Sequence, residues 1–166
     1  MAAAALAIAA LAVRAGLRAR DWRDDETLFA SAVRAEPWNA EARTNHGLAL
    51  SERGNTEAAR REWEEAVRLD PTNPAALVQL GIDAAERGRL DRAEEWFVKA
   101  LRAQPGEAEA RFNLALLFDR TRRPAQAIVA YEQFLRVATG EHSALVPRVR
   151  ERLRRLREGL GRAPEQ

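Results

Sequence analysis

The amino-acid sequence predicts an all-α fold: a solenoid of antiparallel helix pairs with a C-terminal capping helix. Three observations support this prediction. Ala, Leu, Glu and Arg dominate the 166 residues and favour helix, while only 6% of residues are aromatic. Similar residues recur at a fixed interval of 34 positions. Within each interval, apolar residues follow helical spacing and Gly or Pro separates the segments.

Composition and charge argue against several classes of function. The chain has no cysteine, which excludes disulfides, thiol catalysis and cysteine-based metal sites. The formal net charge is only +2 and no basic stripe follows the main body, so we expect no nucleic-acid binding. The two histidines, His46 and His142, are too far apart in the repeat to share a metal, and no phosphate loop or nucleophile motif is present. We therefore expect no enzyme activity, no cofactor and no metal.

The repeat is defined by columns of residues that are 34 positions apart. The aromatic column is Phe29, Trp63, Phe97 and Tyr131. The small-residue columns are Ala59, Ala93 and Ala127, and Gly47, Gly81 and Ala115. The proline column is Pro37, Pro71 and Pro105, where the second helix of each pair should stop. Because small residues let two helices approach closely, we expect Gly81 and Ala93 to let the aromatic ring of Phe97 wedge between its neighbours.

In chain order, these columns predict a half-repeat helix at 21–39 and three full helix-pair units. The units are placed at 40–73, 74–107 and 108–141. The predicted helices are Thr27–Glu36, Ala40–Arg53, Thr56–Leu69, Pro74–Arg87, Leu90–Ala103, Ala108–Thr121, Pro124–Ala138 and Leu145–Glu158. The turns inside the units are marked by Gly54-Asn55, Gly88 and Arg122-Arg123-Pro124.

These columns resemble those of the tetratricopeptide-repeat family, whose 34-residue unit carries Gly, Tyr, Ala, Phe and Pro at matching positions. The resemblance covers about 25–141. The chain departs from the family pattern at Arg43 and His46, where an aromatic and a leucine are usual, and at Ala115, which replaces the glycine. The resemblance implies that the solenoid is a right-handed superhelix and that it binds a protein or peptide partner.

The residues from 142 to 166 predict a basic capping helix and tail. Leu145, Val149, Leu153, Leu156 and Leu160 recur at steps of three or four, so they should cover the apolar flank of the last unit. Arginines occupy the other faces of this helix. We interpret them as a solvated surface, with contact to acidic lipid or to a partner's carboxylates as the alternative.

The first 20 residues predict an apolar helix. Ala2–Val13 is wholly apolar but shorter than a membrane span, which needs about 20 residues. A signal sequence, an anchor and a plain helix remain open; we favour the end of a transmembrane helix. The segment 20–40 resembles the junction in membrane glycosyltransferase-type proteins, which are thought to mannosylate proteins and carry such repeats. That resemblance implies an accessory domain whose catalytic part lies outside this chain, and it leaves a cytoplasmic or membrane-associated location open.

The candidate site lies on the first helix of each unit. An amide column, Asn45, Gln79 and Asn113, lies beside an apolar column, Leu48, Ile82 and Leu116. The same face also offers Thr44, Val78 and Phe112. Each amide can both accept and donate a hydrogen bond, so the column can pair with the backbone of an extended peptide. It resembles the asparagine ladder in the repeat domain of O-linked N-acetylglucosamine transferases, which implies a peptide-binding groove. A solvent-tolerant column with no partner is the alternative interpretation.

Overall fold

The computed structural model describes residues 25–161, and every regular element in this part of the chain is helical. The chain divides into two compact units after Asp70. In the described part, unit 1 contains α1 (Asp25–Ala35), α2 (Ala40–Glu52) and α3 (Thr56–Leu69). Unit 2 contains α4 (Pro74–Glu86), α5 (Leu90–Ala103), α6 (Ala108–Arg120), α7 (Pro124–Val137) and α8 (Val146–Gly161), with a short 3-10 helix at Gly140–His142.

The eight predicted helices are all present, and their bounds differ from the predicted ones by at most three residues. The prediction of an all-α fold is therefore confirmed. The predicted apolar helix at 1–20 lies outside the described residues.

In unit 1, α2 packs against α1 on one side and against α3 on the other. A Cβ atom added to Gly47 would lie 2.3 Å from Trp63 Nε1, so no larger residue fits where the indole crosses α2. Trp63 is buried, and its Nε1 donates a hydrogen bond to the Thr44 carbonyl at 3.3 Å. Burial of the indole is therefore possible without leaving its N–H unpaired.

In unit 2, the pair α4–α5 repeats this arrangement. A Cβ atom added to Gly81 would lie 2.4 Å from the ring of Phe97, which is 1% exposed. Ala93 is fully buried as well, so the prediction that small residues make room for the ring of Phe97 is confirmed at Gly81. In the next pair, α6–α7, Ala115 is fully buried and Tyr131 takes the aromatic position at 2% exposure.

The turn between the two helices of each pair contains one residue with left-handed backbone. Gly54 and Gly88 have φ values of +80° and +73°, and Arg122, in the same register, has φ of 56°. Glycine adopts this conformation without steric cost, whereas a residue with a Cβ atom does not. The third turn therefore carries a strain that the first two avoid.

An asparagine side chain caps the start of two of the first helices, α2 and α4. Asn39 Oδ1 accepts a hydrogen bond from Ala42 N at 3.0 Å, and Asn73 Oδ1 accepts one from Ala76 N at 2.9 Å. Such side-chain caps satisfy backbone N–H groups that have no partner within the helix. They fix where α2 and α4 begin.

Two arginines tie the loop before a first helix to that helix. In unit 1, Arg43 Nε donates to the Pro37 carbonyl at 2.9 Å. In unit 2, Arg111, which is 34 × 2 positions further on, donates from Nη2 to the Pro105 carbonyl. The residue between them in this register is Leu77, which is 1% exposed. At this position of the repeat, the first and third helix pairs therefore have a hydrogen-bonding arginine, and the second has a buried leucine.

The last helix, α8, packs against α7 as the predicted capping helix. Val149 and Leu153 are buried, whereas Leu160 is 45% exposed, so the covering stripe is shorter than predicted. Arg152 binds Asp119 of α6 through two hydrogen bonds of 2.6 Å, from Nε and Nη2. This bidentate pair fixes α8 to α6 as well as to α7.

Candidate functional site

The predicted site residues lie on the first helices of the pairs. Asn45 and Leu48 are half-buried on α2 in unit 1. In unit 2, Gln79 and Ile82 are half-buried on α4, Asn113 is half-buried on α6, and Leu116 is 38% exposed. The side-chain amides of the column form no hydrogen bond with any other residue in the range 25–161, so both their polar atoms can serve a ligand.

In unit 2, three of these residues line one recess of about 210 Å³, which we call the groove pocket. They are Ile82 of α4 and Asn113 and Leu116 of α6, two first helices that contact each other. Gln79 does not line it. The structure therefore brings together Ile82, Asn113 and Leu116 in one recess, without Gln79.

The lining of the groove pocket is apolar at its base and polar at its edge. Ala85, Leu117 and the buried ring of Phe97 complete the apolar part. Two exposed charged residues, Glu86 and Arg120, complete the polar part. Small-molecule and cofactor sites usually measure about 300–1,000 Å³. At about 210 Å³ this recess is smaller, so it can hold a group such as one large apolar side chain and not a drug-sized molecule.

Sequence reasoning missed Glu86 and Arg120, although a signal was present. Glu86 lies four residues after Ile82, and Arg120 lies four residues after Leu116. Residues four apart are neighbours on one helix face, so each charged residue had to lie beside its apolar partner. The groove pocket consequently offers one negative and one positive group to a ligand.

Two of the residues predicted on the groove face are buried, so that part of the prediction is wrong. Thr44 is 2% exposed, and its hydroxyl donates to the Ala40 carbonyl at 2.8 Å. Val78 is 1% exposed. Phe112 is half-buried and its ring lies 5.3 Å from that of Phe134. Thr44 and Val78 therefore serve the interior and not the groove surface.

A polar cluster replaces the expected apolar contacts near Asn45 in the α2–α3 pair. Arg43 Nη1 lies 2.9 Å from Glu62 Oε2, and His46 Nδ1 lies 3.4 Å from Glu62 Oε1. This explains how α2 accepts an arginine and a histidine where the family has an aromatic and a leucine. Glu62 compensates the charge of Arg43. This carboxylate could not be predicted from the repeat, because Glu62 belongs to none of the columns that are 34 positions apart.

The described residues 25–161 also bear on metal binding and on membrane insertion. No group of three or more His, Asp or Glu side chains there is arranged to hold a metal ion. Of the helices in this range, none combines the length and the apolar character needed to cross a bilayer. The resemblance of segment 20–40 to membrane glycosyltransferase-type proteins stays a prediction.

Comparisons with known proteins agree with the geometry. A family model described as "Tetratricopeptide repeat" matches residues 11–74 and 78–141. Two crystal structures of MamA are similar at 22% identity, with TM-scores of 0.66 and 0.68. The first match covers 80% of this chain and 75% of that one, and the second covers 87% and 76%. No protein of curated function matches the chain in sequence.

A third solved structure is that of YrrB, described as a TPR protein with an unusual peptide-binding site. It is 21% identical, with a TM-score of 0.61, and the match covers 66% of this chain and 56% of that one. At these identities the three structures establish a shared fold.

Proposed function

Because the chain belongs to the tetratricopeptide-repeat family, we propose that it is a non-enzymatic module that binds an extended segment of a partner protein in the groove on α4 and α6, the first helices of unit 2. The observation that carries this proposal is the groove pocket in unit 2. Its size suits one apolar side chain, and Asn113 at its edge has an amide that is not used within the described residues. YrrB supports the proposal as a protein of the same fold with a peptide-binding site.

The spacing of the amides suits an extended backbone. Neighbouring packed helices lie about 8–10 Å apart, and three residues of an extended strand span about 10 Å. An extended peptide that crosses α4 and α6 can therefore present one peptide group to Gln79 and, three residues further on, another in the same orientation to Asn113. Asn45 and Leu48 hold the equivalent positions on α2. Backbone pairing of this kind accepts many side-chain sequences, while the groove pocket selects an apolar residue at one position.

The test uses two double variants of the full chain. Gln79→Ala with Asn113→Ala removes the two amides that α4 and α6 offer in unit 2. Asn55→Ala with Gln104→Ala is the matched control, because these two exposed amides lie outside the groove and Asn55 caps no backbone N–H with its side chain. The probe is the best binder from an array of varied peptides of about twelve residues, long enough to cross α4 and α6 when extended.

The groove variant should bind this peptide at least tenfold more weakly, which corresponds to about 1.4 kcal/mol, while the control binds like the parent. Both should keep the free energy of unfolding within about 1 kcal/mol of the parent, as surface changes do. Equal binding by the two variants, or unfolding of the groove variant alone, would remove the amides from the site. An array without any binder would contradict the proposed function itself.

A second pair of variants tests the groove pocket. Leu116→Ser removes an exposed wall of the pocket, and Val129→Ser removes an exposed apolar residue of similar accessibility on α7. Only Leu116→Ser should weaken the binding of the peptide, and only when the peptide carries its apolar residue. If a peptide with that residue changed to Ser responds equally to Leu116→Ser, the pocket does not hold the side chain.

A further inference from the structure

A second recess in unit 2 lies between α7 and the capping helix α8, and it shares no residue with the groove pocket. It measures about 550 Å³, and we call it the arginine crevice. Leu135 of α7 and the buried Leu153 of α8 form the apolar part of its lining. Four arginines and two glutamates form the remainder, which gives the lining a formal charge of +2.

Two of the arginines already have partners. Arg157 Nη2 donates to Glu132 Oε1 at 2.6 Å, a contact that joins α8 to α7 across the crevice. Arg154 donates from Nη1 to Glu158 Oε1 at 2.6 Å and from its other nitrogens to Glu151. Both glutamates of the lining are therefore neutralised by arginines of α8.

The other two arginines, Arg136 and Arg150, carry the excess charge. Both are exposed, and neither forms an ion pair with another residue of the described part of the chain. They stand on opposite sides of the crevice, Arg136 in the last turn of α7 and Arg150 on α8. A guanidinium group that is not engaged presents a planar set of donors that matches a carboxylate.

We propose that the arginine crevice binds an acidic segment of a partner protein in which an aliphatic side chain stands between carboxylates. The aliphatic side chain packs on Leu135 and Leu153, and the flanking carboxylates pair with Arg136 and Arg150. Charge complementarity favours this occupant over an apolar one. A polyphosphate strand fits less well, because Glu132 and Glu158 lie in the walls and no aromatic side chain in the lining offers a stacking surface for bases.

The test uses the full chain and a short peptide labelled with fluorescein, with blocked ends, in which one Leu lies between pairs of Glu. The variant is Arg136→Gln with Arg150→Gln. Its matched control is Arg102→Gln with Arg148→Gln: Arg102 occupies the last turn of α5, 34 positions before Arg136, and Arg148 is an exposed arginine of α8 outside the crevice lining. The two variants change the net charge equally.

The parent and the control should bind the peptide with similar affinity, and the crevice variant should bind at least tenfold more weakly. Binding should also weaken as salt rises from low to physiological concentration, because the pairs are exposed. Changing the Leu of the peptide to Ser should reduce affinity for the parent about fivefold or more, since the apolar contact is lost.

Three results would overturn the proposal. The first is an equal loss of binding in both arginine variants, which would indicate a general effect of charge. The second is equal binding of the Leu and Ser peptides. The third is binding of poly(U) RNA, or of phosphatidylcholine vesicles with about one quarter phosphatidylserine, more tightly than the peptide and dependent on Arg136 and Arg150. Circular dichroism of each variant verifies that the helices are intact.

Discussion

At the scale of single residues, the left-handed position in the turn of each helix pair shows how one backbone requirement is met in two ways. Gly54 and Gly88 meet it without a side chain, and no atom would lie within 4 Å of a Cβ added to either. Arg122 meets it with a full side chain at φ 56°. Because the surrounding space is open, the difference between these positions is a backbone energy and not a packing energy.

The change Arg122→Gly should therefore stabilise the protein. A residue with a Cβ atom costs about 1–2 kcal/mol in the left-handed region, and the change to glycine removes this cost. Part of the gain is lost again, because glycine makes the unfolded chain more flexible and so stabilises it. We expect a net rise of about 0.5–1 kcal/mol in the free energy of unfolding, measured by urea denaturation. The reciprocal change, Gly88→Arg, should lower it by a similar amount. A loss of stability in Arg122→Gly would show that the arginine side chain contributes more than its backbone costs.

At the scale of helices, the approach of α4 to α5 depends on a missing Cβ atom at Gly81 and on the ring of Phe97 that takes its place. The two residues are 16 positions apart in sequence, but their energies are coupled because each occupies space that the other would need. The same pairing joins Gly47 to Trp63 in unit 1. Helix position in each pair is thus set by one small and one large residue together.

A double-mutant cycle measures this coupling. Phe97→Ala should lower the free energy of unfolding by about 3–5 kcal/mol, as loss of a buried ring does. Gly81→Ala should cost about 1–3 kcal/mol, because its Cβ would lie 2.4 Å from the ring. In the Phe97→Ala background, however, Gly81→Ala should cost little, since the ring is gone. The control is Gly159→Ala, where no atom lies within 4 Å of an added Cβ. Simple additivity of the two changes would mean that the ring and the glycine do not constrain each other.

At the scale of the whole molecule, the chain has a single tyrosine, so its ionisation can be followed without interference from another phenol. Tyr131 is 2% exposed, and burial, assisted by the negative charge of Asp119, raises its pKa from 10.0 to about 12. The neutral phenol is the form that fits the folded protein.

Stability should consequently decline in alkali over a defined range. In the unfolded chain the phenol ionises near pH 10, whereas the folded protein keeps the proton up to about pH 12. The contribution of Tyr131 to the free energy of unfolding is therefore complete below about pH 10 and is lost as the pH rises towards 12. Phenolate absorbance reports the pKa, and denaturation at several pH values reports the stability. Tyr131→Phe should show a smaller decline over this range; an identical decline would assign the effect to other groups.

The same scale shows what sequence periodicity can and cannot predict. The helices could be predicted because the contacts that define them, such as Gly81 with Phe97, involve residue types that recur in every unit. The groove pocket could be predicted in part, since Ile82, Asn113 and Leu116 follow from the register. The burial of Thr44 and Val78 could not, because residue type does not tell how much of a helix face is covered. The pairing of Arg43 with Glu62 also could not, because it occurs once and no column repeats it.

Two hydrogen bonds matter for any attempt to move one helix-pair repeat of this chain to another position. They run from Arg43 to the Pro37 carbonyl and from Arg111 to the Pro105 carbonyl. Boundaries drawn at 40, 74 and 108 separate each arginine from the carbonyl that it binds. Moving such a segment into another position would place an arginine beside an unrelated loop, or leave a proline carbonyl with Leu77 in place of a donor. A segment that begins at Pro37 or Pro105 carries donor and acceptor together, and one that begins at Pro71 keeps its proline with Leu77. The portable unit of this chain therefore begins at the proline, three residues before the helix.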